Sequence, residues 1–90
     1  MERKGVGSLR TNENDILIQI LKEARVSAGV SQEELSRRMG QSITFIVKIE
    51  RGTRRLDVYE FVRLSEALGV EASELFGRYQ QSLRARQNRA

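Results

Sequence analysis

The chain has 90 residues, 39% hydrophobic and 31% charged, which predicts one small domain with a single core. It contains no cysteine and no histidine, and this excludes disulfides, thiolate nucleophiles and ordinary zinc sites and removes the usual general base. We therefore expect neither an enzyme nor a cofactor. No apolar run could span a bilayer, and the first fifteen residues lack the apolar core of a secretory signal, so we expect a cytoplasmic protein.

The positive charge is distributed unevenly along the chain. Sixteen Lys and Arg residues against twelve Asp and Glu residues give a net charge of +4, which favours a polyanionic partner. Residues 1–77 are neutral overall, and the excess comes from four later arginines. These are Arg78, Arg84, Arg86 and Arg89. Within the neutral part, residues 37–55 hold six basic side chains against Glu50 alone, which predicts a local basic patch.

The chain begins with a segment that has no helical pattern. Residues 1–13 contain two glycines and no apolar period, and we expect a flexible, mildly basic arm. From Ile16 onward the apolar residues recur with the spacing of an amphipathic helix. Asn12 or Asn14 is the candidate N-cap of this first helix, and Gly29 ends it.

The second predicted helix is short. Ser31 and Glu34 have the spacing of a capping box, and Gly40 stops the helix about two turns later. Leu35 and Met39 form its apolar face.

The third predicted helix follows almost at once. It spans residues 43–51, with Ser42 as its candidate cap and Gly52 as its end. Because only two residues separate Gly40 from this helix, the second and third helices must cross at a steep angle. Two short helices joined in this way are the sequence pattern of a helix-turn-helix.

Two further helices complete the pattern. Asp57 and Glu60 form a second capping box at the start of a fourth helix, which Gly69 closes. A fifth helix begins near Ala72, and its end is uncertain because Gly77 weakens a helix by about 1 kcal/mol. No strand-like alternation runs longer than four residues. The sequence therefore predicts an all-α fold, a compact bundle of five short helices.

The outer face of the third helix carries groups suited to reading DNA. With Ile46 pointing inward, Thr44, Val47, Lys48 and Arg51 cluster on the opposite side. A hydroxyl, a small apolar group and two cations can contact base edges and phosphates in a major groove. An ordinary solvated helix face is the alternative interpretation of these residues.

The run from Gly29 to Gly52, GVSQEELSRRMGQSITFIVKIERG, resembles the helix-turn-helix core of the lambda-repressor-like (Cro/cI-type, XRE) family. The later segment RRLDVYEFVRLSEALGVEASELF is similar to that family's closing helices. The resemblance covers residues 14–77, which we take as the DNA-binding domain. Residues 78–90 are then a basic C-terminal extension. The resemblance implies that the protein binds double-stranded DNA in the major groove, and therefore that it is located at the nucleoid.

The resemblance also implies roles for individual residues. The positions that touch base edges in the family correspond to Ile43, Thr44 and Lys48. The phosphate-contacting positions correspond to Gln32, Ser42, Arg51, Arg54 and Arg55. Arg25 and Glu50 correspond to a partly buried ion pair between the first and third helices. No metal site or catalytic residue is implied.

Two side chains near the third helix leave a choice. Ile43 stands where many family members carry Gln or Arg, and it either packs on a thymine methyl group or fills space under the turn. Phe45 is assigned to the core, because a bulky aromatic beside Ile49 is a common way to seal a small core.

The basic extension also has alternatives. Arg84, Arg86 and Arg89 add phosphate contacts, or the fifth helix extends and presents Leu75, Tyr79 and Leu83 to a second subunit. A solvated, disordered end is the third possibility.

Together these patterns predict a sequence-specific transcriptional regulator, a repressor or autoregulator, that binds a palindromic operator as a homodimer. The alternative function is an antitoxin that binds a toxin partner and regulates its own operon. An RNA-binding or catalytic role ranks below both, because the five aromatic residues lie mostly at core-like positions.

Overall fold

The computed structural model describes residues 12–88, which form five helices and no strand, so the predicted all-α class is confirmed. In chain order the helices are α1 (Asn12–Ser27), α2 (Gln32–Arg38), α3 (Phe45–Arg51), α4 (Val58–Leu68) and α5 (Ala72–Asn88). None of these five helices is long and apolar enough to cross a membrane. Most of the predicted arm, residues 1–11, lies outside the described residues, and so does Arg89.

A single core joins all five helices. Each contributes at least one fully enclosed side chain; these are Leu21, Leu35, Ile46, Leu64 and Leu75. Burying one such side chain contributes roughly 1.5–3 kcal/mol, so shared burial rather than helix propensity stabilises two-turn helices such as α2 and α3. Helix α1 packs against α3 and α5, and α2 packs against α3 and α4.

The turn between α2 and α3 depends on one glycine and one buried serine. Gly40 has φ of +69°, a conformation that side chains with a Cβ rarely adopt, and it lets Gln41 N–H donate to Ser36 carbonyl at 3.0 Å. Ser36 is fully buried, and its Oγ accepts from Ile46 N–H at 3.0 Å. This bond fixes the start of α3 on α2.

Both predicted capping boxes have their N-cap side-chain bond, but only one of them forms in full. Asp57 Oδ1 accepts from Glu60 N–H at 2.8 Å, and Glu60 Oε1 accepts from Asp57 N–H at 3.0 Å. Ser31 Oγ accepts from Glu34 N–H at 3.0 Å. The Glu34 carboxylate instead accepts from two arginines of its own helix, because those guanidiniums lie within reach one turn later.

Two helix starts differ from the prediction. Helix α3 begins at Phe45 rather than at residue 43, because Thr44 has φ of −96° and ψ of 2°, outside the helical range. Ser42 does not cap through its side chain: its backbone carbonyl accepts from Phe45 N–H at 3.0 Å. Helix α1 already begins at Asn12, so Asn14 lies in its first turn and is not the cap.

Helix α5 continues through Gly77 to Asn88, the last residue that the structure describes. The proposal that it presents Leu75, Tyr79 and Leu83 to a second subunit is wrong for Leu75 and Tyr79. Leu75 is completely buried, and Tyr79 packs against the core of its own chain. The reason is that α1 lies along α5 and covers this stripe within the molecule.

Candidate nucleic-acid interface

The turn before α3 and the first turns of α3 present one exposed row of side chains. Thr44 and Lys48 are both exposed and lie one helical turn apart, with Lys48 N–H donating to Thr44 carbonyl at 3.0 Å. Arg51 is exposed three residues further along the same helix. A hydroxyl, an ammonium and a guanidinium are thus displayed along a single edge of the molecule.

Ile43 and Phe45 point in opposite directions. Ile43 is 57% exposed in the turn, so it does not fill space beneath the turn, and its methyl groups are available to an apolar partner. Phe45 is buried in the core, as predicted. Ser42 is exposed beside them, and its Oγ lies 3.4 Å from Thr44 Oγ1.

A hydrogen-bonded network behind α3 fixes its position. Arg25 Nε and Nη2 donate to the two carboxylate oxygens of Glu50 at 2.7 and 3.1 Å, and Arg25 Nη1 donates to Val30 carbonyl at 2.9 Å. Gln32 Nε2 donates to Glu50 Oε1 at 2.8 Å. The structure thus brings together the two residues of the proposed ion pair and adds Gln32 to them. The network connects α1, α2 and α3, so the exposed row stands on a rigid support.

Arg54 is held within the protein, in the loop that follows α3. Its Nη1 and Nη2 donate to the Glu60 carboxylate at 2.6 and 2.9 Å, and its Nη1 also donates to Arg55 carbonyl at 2.6 Å. The guanidinium carbon lies 4.8 Å from the centre of the Phe45 ring, in cation–π contact. These contacts lower the pKa of the Glu60 carboxyl, chiefly through the Arg54 hydrogen bonds, and raise the pKa of Arg54.

The basic patch predicted from residues 37–55 is weaker than the residue count indicates. Arg37 and Arg38 form ion pairs with Glu33 and Glu34 at 2.9–3.1 Å, and Arg54 pairs with Glu60. The hydrogen bonds from Arg38 and then Arg37 hold the pKa of the Glu34 carboxyl below its usual value. These carboxylates lie outside the counted window: Glu33 and Glu34 precede it on α2, and Glu60 is on α4. Lys48, Arg51 and Arg55 are also exposed beside α3.

Two contacts at this site had no clear signal in the sequence. The buried Ser36 looks like an ordinary small polar residue of a helix, and its bond to α3 depends on the crossing of the two helices. The Arg54 contact with Glu60 spans six residues across a loop. A basic residue in the loop and an acidic residue at the third position of the next helix could have indicated it. Among residues 12–88, no three acidic side chains are placed to hold a metal ion.

Comparison with known proteins gives consistent results. The family model Helix-turn-helix (HTH_3) matches residues 21–75. An XRE-family like protein from Pseudomonas syringae pv. tomato str. DC3000 is 34% identical, with 78% of this chain and 85% of that chain covered and a TM-score of 0.73. A hypothetical transcription factor, NHTF, from Neisseria is 30% identical, with 82% and 85% covered and a TM-score of 0.68.

The fold is also shared with a more distant regulator. The wild-type restriction-modification controller protein C.Esp1396I is 22% identical, with 82% of this chain and 95% of that chain covered and a TM-score of 0.75. No curated protein matches the chain. The structural likeness therefore extends beyond the similarity in sequence.

Proposed function

The chain belongs to the XRE family of helix-turn-helix DNA-binding regulators, and from this premise we propose that it is a repressor or autoregulator that binds a palindromic operator as a homodimer. The observation that carries the proposal is the exposed row on α3, supported from behind by the Arg25–Glu50–Gln32 network. A helix of this kind reads bases only when its position is fixed relative to the backbone contacts.

The proposed base contacts follow from the chemistry of the row. Lys48 suits the acceptors of guanine, Thr44 suits a base edge, and the exposed Ile43 suits the methyl group of thymine. The proposed phosphate contacts are Gln32, Ser42, Arg51, Arg54 and Arg55. They surround the row on the α2 side and on the loop after α3.

An apolar surface elsewhere supports the homodimer. Of the six large apolar side chains that are exposed in the described range, four lie on α4 and α5. These are Val58, Tyr59, Val62 and Phe76, which we call the α4–α5 face. Beside it is a groove of about 200 Å³ lined mainly by apolar side chains, including Leu56, Phe61 and Phe76. Grouped exposed apolar side chains of this kind often mark an interaction site.

We assign the α4–α5 face to a second copy of the chain. Residues 57–78 hold five carboxylates and two arginines; apart from Glu60, which pairs with Arg54, the stretch remains acidic, so DNA is not attracted to this face. The face is bordered by charges of both signs, since Asp57 lines the groove and Arg63 Nη1 lies 3.4 Å from Tyr59 Oη. A two-fold interface needs such self-complementarity, and two-fold symmetry is what a palindromic operator requires.

The function is tested by selection from a random duplex library, with Lys48→Ala compared against the wild type. We expect the wild type to enrich a short inverted repeat. Lys48→Ala should relax preference at one position of each half-site by about 1–3 kcal/mol. Lys22→Ala is the matched control, because Lys22 is an exposed lysine of α1 and lies away from the row. Retention without an enriched motif, lost steeply with salt, would contradict sequence-specific binding.

The dimer face is tested with Phe76→Glu and sedimentation equilibrium. Phe76 is 52% exposed and is not one of the buried core residues, and a charge placed within the face should convert a wild-type dimer into a monomer. Val26→Glu is the control, since Val26 is exposed on α1 outside the face. A Phe76→Glu dimer would show that the face is wrong. A monomeric wild type would contradict the homodimer and leave the face to the toxin partner of the alternative function.

A further inference from the structure

The Arg54 guanidinium has two edges that can each form a pair of parallel hydrogen bonds. One edge consists of Nη1 and Nη2, and the other consists of Nε and Nη2. Glu60 occupies the first edge at 2.6 and 2.9 Å, and the remaining hydrogen of Nη1 is used by Arg55 carbonyl at 2.6 Å. On the second edge, no acceptor from the described residues contacts Nε, and Nη2 has one hydrogen to spare.

The location of this second edge is suitable for a DNA phosphate. Arg54 lies in the loop directly after α3, and its side chain is 42% exposed although three groups hold it. The Phe45 ring lies under the guanidinium plane at 4.8 Å, so the open edge keeps one orientation. A phosphate oxygen pair matches the spacing of such an edge as a carboxylate does.

We propose that Glu60 is a positioning residue for DNA binding: by holding one edge of Arg54, it presents the other edge to a backbone phosphate. This inference rests on the proposed DNA-binding function. Glu60 is itself fixed, because it lies in the first turn of α4 and its Oε1 closes the capping box on Asp57 N–H at 3.0 Å. An arginine that is ordered before binding loses less side-chain freedom when the phosphate arrives.

The proposal and simple electrostatics predict opposite effects of removing the Glu60 charge on DNA affinity. Glu60 carries a negative charge beside a cation that contacts DNA. If only charge mattered, Glu60→Gln would tighten binding, because it removes a protein carboxylate that repels the negatively charged DNA. If positioning dominates, Glu60→Gln weakens binding, because the amide group cannot accept hydrogen bonds at both of its ends.

The experiment measures operator affinity over a range of salt concentrations for the full chain and for three variants. We expect Glu60→Gln to weaken binding about three- to tenfold. The slope of log affinity against log salt concentration should become shallower by up to about one unit, the value of one phosphate contact. Arg54→Lys, which keeps the charge but has no second edge, should weaken binding similarly. Glu66→Gln is the matched control, an exposed glutamate further along α4, and its affinity should not fall.

A structural effect is separated from a positioning effect by the double variant. With Arg54→Ala already present, Glu60→Gln should cause no further loss of affinity, whereas a general loss of folding would weaken binding again. Thermal unfolding of each variant shows that the folded fraction is complete at the binding temperature. Unchanged or tighter binding by Glu60→Gln, in a protein whose wild type binds the operator, overturns the inference alone. A wild type that binds no DNA overturns the proposed function and this inference together.

Discussion

Two arginine–glutamate pairs flank α3, and they differ in which guanidinium edge is used and in exposure. Arg25 gives its Nε–Nη2 edge to Glu50 and its Nη1 to a carbonyl, and the two side chains are only 11% and 7% exposed. Arg54 gives its Nη1–Nη2 edge to Glu60, and its side chain is 42% exposed. Each arginine uses three of its five N–H hydrogens in these contacts, but Arg25 is enclosed, whereas Arg54 carries its open Nε–Nη2 edge on a partly exposed side chain.

The difference shows how similar chemistry can serve two purposes. A buried pair carries a desolvation cost, so its value appears mainly when one partner is removed and the other is left poorly solvated. A partly exposed pair contributes little to stability, because water screens it. The inner pair therefore holds the helices together, and the outer pair orders a side chain that can still bind a ligand.

The largest effect that tests this comparison is expected from Arg25→Ala. Removing the guanidinium leaves the Glu50 carboxylate enclosed with Gln32 as its remaining hydrogen-bond donor among the contacts described. We expect a loss of about 3–5 kcal/mol in the free energy of unfolding, close to that of a fully buried pair. Urea denaturation monitored by circular dichroism measures it.

Arg54→Ala is the control for that experiment. Its loss should be smaller, about 1–2 kcal/mol, because Arg54 itself is 42% exposed and the Glu60 carboxylate, although only 12% exposed, keeps the hydrogen bond from Asp57 N–H. If the two variants lost equal stability, or if Arg25→Ala melted like the wild type, the assignment of a structural role to the inner pair would be wrong.

Much of the fold was readable from the sequence because local signals agreed with one another. Apolar spacing and the glycines at the helix ends indicated all five helices, and the Asp57–Glu60 capping box formed as predicted. These features depend on residues three or four apart, so a single segment contains all the information. The position of Thr44 and Lys48 on one exposed edge followed from the same periodicity.

The remaining features depend on contacts between segments. The start of α3 moved to Phe45 because Ser36 of α2 takes the Ile46 N–H, a bond that exists only once the helices cross. One of the three alternatives for the basic extension gives the stripe on α5 to a second subunit, because nothing in the sequence of α5 itself shows that α1 covers it. Arg54 was assigned to phosphate alone, because a count of charges in one window omits Glu60 from the next helix.

The smallest expected effect sharpens the comparison through pH. Hydrogen bonds from Arg54 hold the pKa of the Glu60 carboxyl in the folded protein below its ordinary value, so the pair stabilises the fold at neutral pH. That contribution should disappear as the pH falls through the folded-state pKa, since protonated Glu60 no longer attracts Arg54. Unfolding of the wild type and Glu60→Gln, measured from pH 7 to pH 3, should differ by about 1 kcal/mol or less at neutral pH and converge in acid. Other carboxylates with a lowered pKa, such as Glu34, are present in both proteins, so their contributions cancel in the difference between the two unfolding free energies. A constant difference across this range would mean that the charge of Glu60 contributes nothing, and the outer pair would then be held by packing on Phe45 instead.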